Sequence, residues 1–135
     1  MDSVAQVNSM NEKIGNYTEE KMINILSQKG YWCHRFAHNK NGQPCDIIAL
    51  KNDTSVLIDV KHCDSQKFEF RNIRENQETC FELAKQMNNK NTGFAIYFEF
   101  KASFRRLSYE KYVFFKKQKK NKIEYDECER MFYDL

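Results

Sequence analysis

The sequence predicts an α/β protein with a central mixed β-sheet flanked by helices, and three observations carry that expectation. Apolar side chains recur at a helical period over residues 14 to 26. Residues 45 to 63 hold two apolar, β-branched runs joined by a tight turn. Residues 93 to 100 form another apolar run, separated from the first two by a second helical stretch. Helix, strands, helix and strand in this order describe helices layered on a sheet.

Taken in order, residues 1 to 10 are polar and aperiodic and read as a loose start. Ile14, Thr18, Met22, Ile25 and Leu26 share one helical face. Glu19 and Glu20 suit a helix start, or lie inside a helix that begins earlier, and Gly30 is a natural stop. Tyr31 to Ala37 reads as a strand, residues 38 to 44 as a turn-rich loop, and Cys45 to Lys51 as a second strand. Asn52 to Thr54 supplies a tight turn into a third strand, Ser55 to Cys63, so that the second and third strands form an antiparallel hairpin. From Asn72 to about Asn88, Ile73, Gln77, Cys80, Phe81 and Ala84 share a helical face. Gly93 to Phe100 is a strand, Tyr109 to Phe115 a short helix or a strand, and Ile123 to Tyr133 a terminal helix.

The chain has 135 residues, 41% of them hydrophobic and 14% aromatic, which fits one compact domain with its own core and excludes a disordered chain. No apolar run is long enough to span a membrane. The five cysteines, Cys33, Cys45, Cys63, Cys80 and Cys128, are odd in number and include no CxxC pair, which points to reduced thiols in a cytoplasmic setting. Net charge is only +3, but residues 116 to 122 read KKQKKNK. Lys116, Lys117, Lys119 and Lys120 therefore form either a phosphate-attracting cluster or a solvated segment.

The chemistry centres on Asp46 in one strand and Asp59-Val60-Lys61 in the next. Side chains alternate along a strand, so Asp59 and Lys61 face one way and Val56, Ile58 and Val60 the other. Charges in a core-like strand require pairing or a metal. Hydrolysis of a phosphodiester needs an activated water, neutralisation of the transition-state charge and a stabilised leaving oxygen. Two carboxylates can hold Mg²⁺, and a neighbouring lysine can orient or deprotonate water. Glu19 on the first helix would add a third carboxylate. Gln77 interrupts an apolar helical face and sits either at the rim of the core or against this site. Arg71, Arg74, Lys67, Lys101, Arg105 and Arg106 are candidate phosphate contacts or ordinary surface cations. His34, His38 and His62 read as structural or surface residues, and Tyr109, Tyr112, Phe114 and Phe115 as core or dimer interface.

GNYTEEKMINILSQKGYWCHRF (residues 15 to 36) followed by GQPCDIIALKNDTSVLIDVK (residues 42 to 61) resembles the core of the archaeal Hjc-type Holliday junction resolvases. FEFRNIRENQETCFELAKQM (residues 68 to 87) and KKNKIEYDECERM (residues 119 to 131) resemble the RecU-type resolvases. Both belong to the PD-(D/E)XK nucleases. Here the second acid is Asp59, where both groups usually have glutamate, and Cys45 separates Pro44 from Asp46. The resemblance implies a restriction-endonuclease-like core over residues 11 to 130 of a single nuclease domain, 1 to 135. It implies an active site of Glu19, Asp46, Asp59, Lys61 and Gln77, with Glu19, Asp46 and Asp59 as metal ligands. The expected cofactor is Mg²⁺, with Mn²⁺ substituting. The expected substrate is branched or duplex DNA cut by a homodimer, in the recombination and repair of a bacterial or phage-infected cell. Two other readings remain: a repair or restriction-like nuclease of the same superfamily, and a non-catalytic DNA-binding module with the same fold.

Overall fold

The computed structural model describes residues 4–37, 42–89 and 91–131. Helix α1 (Val4–Gln28) leads into strands β1 (Trp32–Arg35), β2 (Ile47–Lys51) and β3 (Thr54–Cys63). A short strand β4 (Lys67–Glu69) precedes helix α2 (Glu75–Gln86). The chain continues through β5 (Gly93–Phe98), β6 (Ser103–Ser108), helix α3 (Tyr109–Lys117), β7 (Lys122–Glu124) and β8 (Glu129–Arg130). Strands β1-β2-β3-β5-β6-β8 form a mixed sheet in that order, parallel only between β3 and β5, and β4 pairs with β7 in a second small sheet.

One face of the large sheet packs on α1 through Met22, Leu26, Ile47, Ala49, Val56, Ile58 and Ala95. The other face packs on α2, α3 and the small sheet through Phe81, Phe94, Ile96, Phe98, Tyr112, Phe68 and Ile123. A sheet covered on both faces explains why β5 reads as a continuous apolar run. The hairpin between β2 and β3 closes through Asn52, whose φ of 54° asparagine tolerates better than most residues. Gly93 must be glycine for a steric reason. A Cβ there would sit 2.6 Å from the carbonyl oxygen of Leu107 and 2.9 Å from Cα of Ser108. Gly93→Val should therefore cost about 3 kcal/mol and lower the melting temperature by roughly 10 °C. A melting curve matching the wild type would refute this account of the β5–β6 contact.

Three expectations need correction. Residues 4 to 10 are not a loose start but the first turns of α1. Ile123 to Tyr133 is not a terminal helix: Ile123 pairs with Phe68 in β7, a 3-10 turn spans Tyr125–Glu127, and Glu129 and Arg130 form the edge strand β8. Ile123 and Cys128 are two buried positions on either side of that turn. The third correction is local: the regular strand begins at Ile47, leaving Asp46 on its flank. The open choice at Tyr109 is settled as a helix, capped by Ser108, whose Oγ accepts from the Lys111 amide at 3.1 Å. Part of the loop at 38 to 44, with His38, and the chain end from 132 lie outside the described residues.

Candidate active site

Backbone register brings the two aspartates together. Ile47 pairs with Ile58, and the Asp46 amide donates to the Ile58 carbonyl at 3.0 Å. Carried one residue further, that register sets Asp46 opposite Asp59. The Asp46 carboxylate is fixed by two donors: the Val60 amide, 2.7 Å from Oδ2, and Gln43 Nε2, 2.9 Å from Oδ1. Asp59 lies deeper, with no exposed surface. Its Oδ1 accepts from Gln77 Nε2 at 2.9 Å. Its Oδ2 is 3.0 Å from Lys61 Nζ, close enough for an ion pair but outside hydrogen-bond geometry. That Oδ2 is the one buried side-chain oxygen or nitrogen without a hydrogen bond among the described residues.

Gln77 joins the acid to the base. Its Oε1 accepts from Lys61 Nζ at 3.1 Å and from the Arg74 amide at 3.0 Å, while its Nε2 holds Asp59. Lys61 Nζ also donates to the Asn72 carbonyl at 3.0 Å. Gln77 thus lies against the site and not merely at the rim of the core. Burial is the largest influence on Asp59; Lys61 opposes it and Asp46 reinforces it, so the carboxyl is raised to about 8 from an ordinary 3.8. Burial also pushes the neighbouring Cys45 thiol up to about 12, which leaves it a neutral filler at physiological pH.

A buried carboxylate oxygen with no hydrogen bond, beside a second carboxylate, is an oxygen-donor set suited to a hard divalent cation. Such ions are commonly bound by one or two carboxylates, with waters and substrate phosphate completing the shell. The donor set stops at two. Among the described residues no three carboxylates, histidines or cysteines converge on one point. Glu19 is buried on α1, but its Oε2 accepts from Arg35 Nη2 at 3.2 Å, and the same guanidinium nitrogen donates to Asn16 Oδ1.

The other candidates are dispersed. Lys67, Lys116 and Lys120 pair with Glu124, Glu78 and Glu127 at 3.5, 3.3 and 2.6 Å. Arg71 pairs with Glu69 at 2.7 Å, and Arg74 caps α2 through its backbone. Lys117 and Lys119 are exposed. His62 turns toward α1, with Nδ1 3.3 Å from Thr18 Oγ1 and Nε2 2.9 Å from Glu99. Sequence reasoning missed Arg35, Gln43 and Asn72. Gln43 and Asn72 sit in loop or 3-10 backbone and Arg35 on an edge strand, and no periodicity marks what such side chains or carbonyls touch. All five cysteines are unpaired, and among the described residues no helix is long and apolar enough to cross a membrane.

A mixed sheet sandwiched by helices, with apposed carboxylates and a lysine at the end of a hairpin, is the architecture of the α/β nucleases that cleave phosphodiesters with a divalent cation. Comparison narrows the class. The family model described as archaeal Holliday junction resolvase (Hjc) matches residues 10–125. Among solved structures, Hjc from Archaeoglobus fulgidus, a Holliday junction resolvase from an archaeal hyperthermophile, shares the fold with a TM-score of 0.56. The two chains are 20% identical, over 71% of this chain and 73% of that one. No curated protein matches. The chain belongs to the archaeal Holliday junction resolvase (Hjc) family, and is accordingly a metal-dependent, structure-selective endonuclease acting on branched DNA. The match lends no support to the expected bacterial or phage host.

Proposed function

We propose that the chain resolves four-way DNA junctions with Mg²⁺ held between Asp46 and Asp59, Mn²⁺ substituting, and with Lys61 as the base-side residue. The observation carrying this reading is the buried Asp59 Oδ2, left without a hydrogen bond across from Asp46 and 3.0 Å from Lys61 Nζ. When bound, the cation supplies charge neutralisation at the scissile phosphate and its leaving oxygen. Lys61 orients the attacking water and, in its neutral amine form, can take the water's proton at Nζ. Gln77 is a positioning residue that fixes the Lys61 amine relative to the Asp59 carboxylate. Glu19 supports the site from α1 while held by Arg35. The whole of residues 1 to 135 acts as one nuclease domain. Resolution requires two opposed cuts, and a two-fold homodimer supplies two identical sites. Sedimentation of a stable monomer on a junction would remove the dimer from this reading.

The direct test is a synthetic immobile junction, a flap and a linear duplex of equal length, incubated with the protein in Mg²⁺ or Ca²⁺. Binding in both ions, with paired opposed nicks in the junction in Mg²⁺ alone, is the expected result. Equal cutting of all three substrates would make the chain a general nuclease. Arg74, Lys117 and Lys119 are proposed as phosphate contacts, while Arg71, Lys67, Lys116 and Lys120 already have acidic partners. Lys117→Gln with Lys119→Asn should therefore flatten the salt dependence of binding by about 1.8 in the log–log slope, about 0.9 per contact. An unaltered slope would make this run a merely solvated one.

A further inference from the structure

We propose that the cleft between α1, the β5–β6 turn and β8 binds the sugar-phosphate backbone of a DNA arm lying away from the scissile phosphate, through Lys21, Arg105 and Arg130. The inference rests on the chain being a junction nuclease. The cleft has a volume of about 420 Å³ and is lined by these three cations together with Tyr97, Phe104 and Tyr125. None of the three cations has an acidic partner within 4.0 Å among the described residues.

Two further observations show that the cleft is built for an anion. First, two of the three cations rest on aromatic faces. Arg105 Cζ lies 4.1 Å above the Tyr125 ring, and Lys21 Nζ lies 5.1 Å above the Tyr97 ring. A ring face orients a cation without consuming its N–H donors or cancelling its charge. Second, Arg105 and Arg130 stand directly opposite each other in the β6–β8 ladder. Like charges at directly opposed positions destabilise a sheet. The next pair in the same ladder shows the ordinary solution, Arg106 against Glu129 at 3.4 Å. A polyanion laid across Arg105 and Arg130 removes the repulsion.

The cleft's position suits a second segment of the substrate. Cross-strand partners run from Lys61 to Ile96, from Ile96 to Arg105 and from Arg105 to Arg130, in one row across the sheet. Three strand spacings separate the ends of that row, roughly 14 Å. The interval is filled by the buried Ile96 and by Phe98, which packs on Tyr125. The proposed phosphate position is therefore distinct from that beside Lys61, yet within reach of the same branched molecule.

The test uses the full chain, a labelled four-way junction and Ca²⁺ as the non-cutting ion, with binding measured between 50 and 200 mM salt. Lys21→Ala with Arg130→Ala should lower the log–log salt slope by about 1.8 and weaken binding at least tenfold at the low-salt end. Single-turnover cutting in Mg²⁺ at saturating protein should stay within about twofold of wild type. Arg130→Glu gives Arg105 a partner, so it should raise the melting temperature of the free protein while weakening junction binding more than Arg130→Ala does. Unchanged slope and affinity would overturn the proposal and leave the cleft to another anion, such as an acidic protein. Loss of cutting at saturation would also overturn it, by placing these residues in the chemistry. If Asp46→Asn cut normally, the catalytic assignment would fall while the slope measurement stood.

Discussion

Asp46→Asn should cut a four-way junction about a thousandfold more slowly than wild type under single-turnover conditions, about 4 kcal/mol of barrier. Asparagine keeps an oxygen able to accept from the Val60 amide, which lies 2.7 Å from Asp46 Oδ2 in the wild-type site, so the hairpin should hold its shape. What is lost is a negative oxygen facing the unbonded Oδ2 of Asp59. Junction affinity in Ca²⁺ should change only a few-fold, because the cationic surfaces lie elsewhere on the molecule. Junction cutting by this variant at the wild-type rate would remove Asp46 from the site.

Asp59→Asn should abolish cutting and also stabilise the metal-free protein at neutral and alkaline pH. The folded protein holds the Asp59 proton to about 8, whereas an unfolded chain releases it near the ordinary 3.8. Between those values the unfolded state gains from ionisation and the folded state does not. Stability from this group is therefore complete below pH 4, falls as pH rises toward 8, and is flat beyond. An amide has nothing to titrate, so the variant's advantage should grow across pH 5 to 8, by no more than about 1.4 kcal/mol per pH unit. Lys61 loses the carboxyl group 3.0 Å from its amine in this variant, which limits the gain to about a few degrees of melting temperature. Millimolar Mg²⁺ should narrow the gap by stabilising wild type alone. A pH-independent difference between the two melting curves would contradict the buried, proton-retaining state of Asp59.

Much of this site is legible along the chain because strand periodicity dictates which side chains share a face. Asp59 and Lys61 had to point together once Val56, Ile58 and Val60 were recognised as core, and the hairpin had to bring Asp46 alongside. Gln77 was legible as a polar break in an apolar helical stripe. Glu19 was not. Its carboxylate is claimed by Arg35, and that pairing depends on how β1 docks against α1. The same limit explains the missed strands. β4, β7 and β8 are two or three residues long, too short for any alternation to register, and each exists because a distant partner supplies its hydrogen bonds. β6 hides behind adjacent arginines, Arg105 and Arg106, which occupy opposite faces and belong to different environments. In α1, residues 4 to 10 include the weak helix formers Val4, Val7, Asn8 and Ser9, so local propensity gave little sign that the helix reaches back to Val4.

The reversal at Asn52 and Asp53 counts residues on behalf of the chemistry. Adding one residue there would shift β2 against β3 by a single step and exchange inward for outward side chains along the shifted strand. Asp46 would then face a residue from the apolar row, and no compensating change at either carboxylate could restore the pair. Insertions and deletions in this turn should be the least tolerated of any loop in the molecule, though the turn lies at the end of the hairpin away from the two carboxylates.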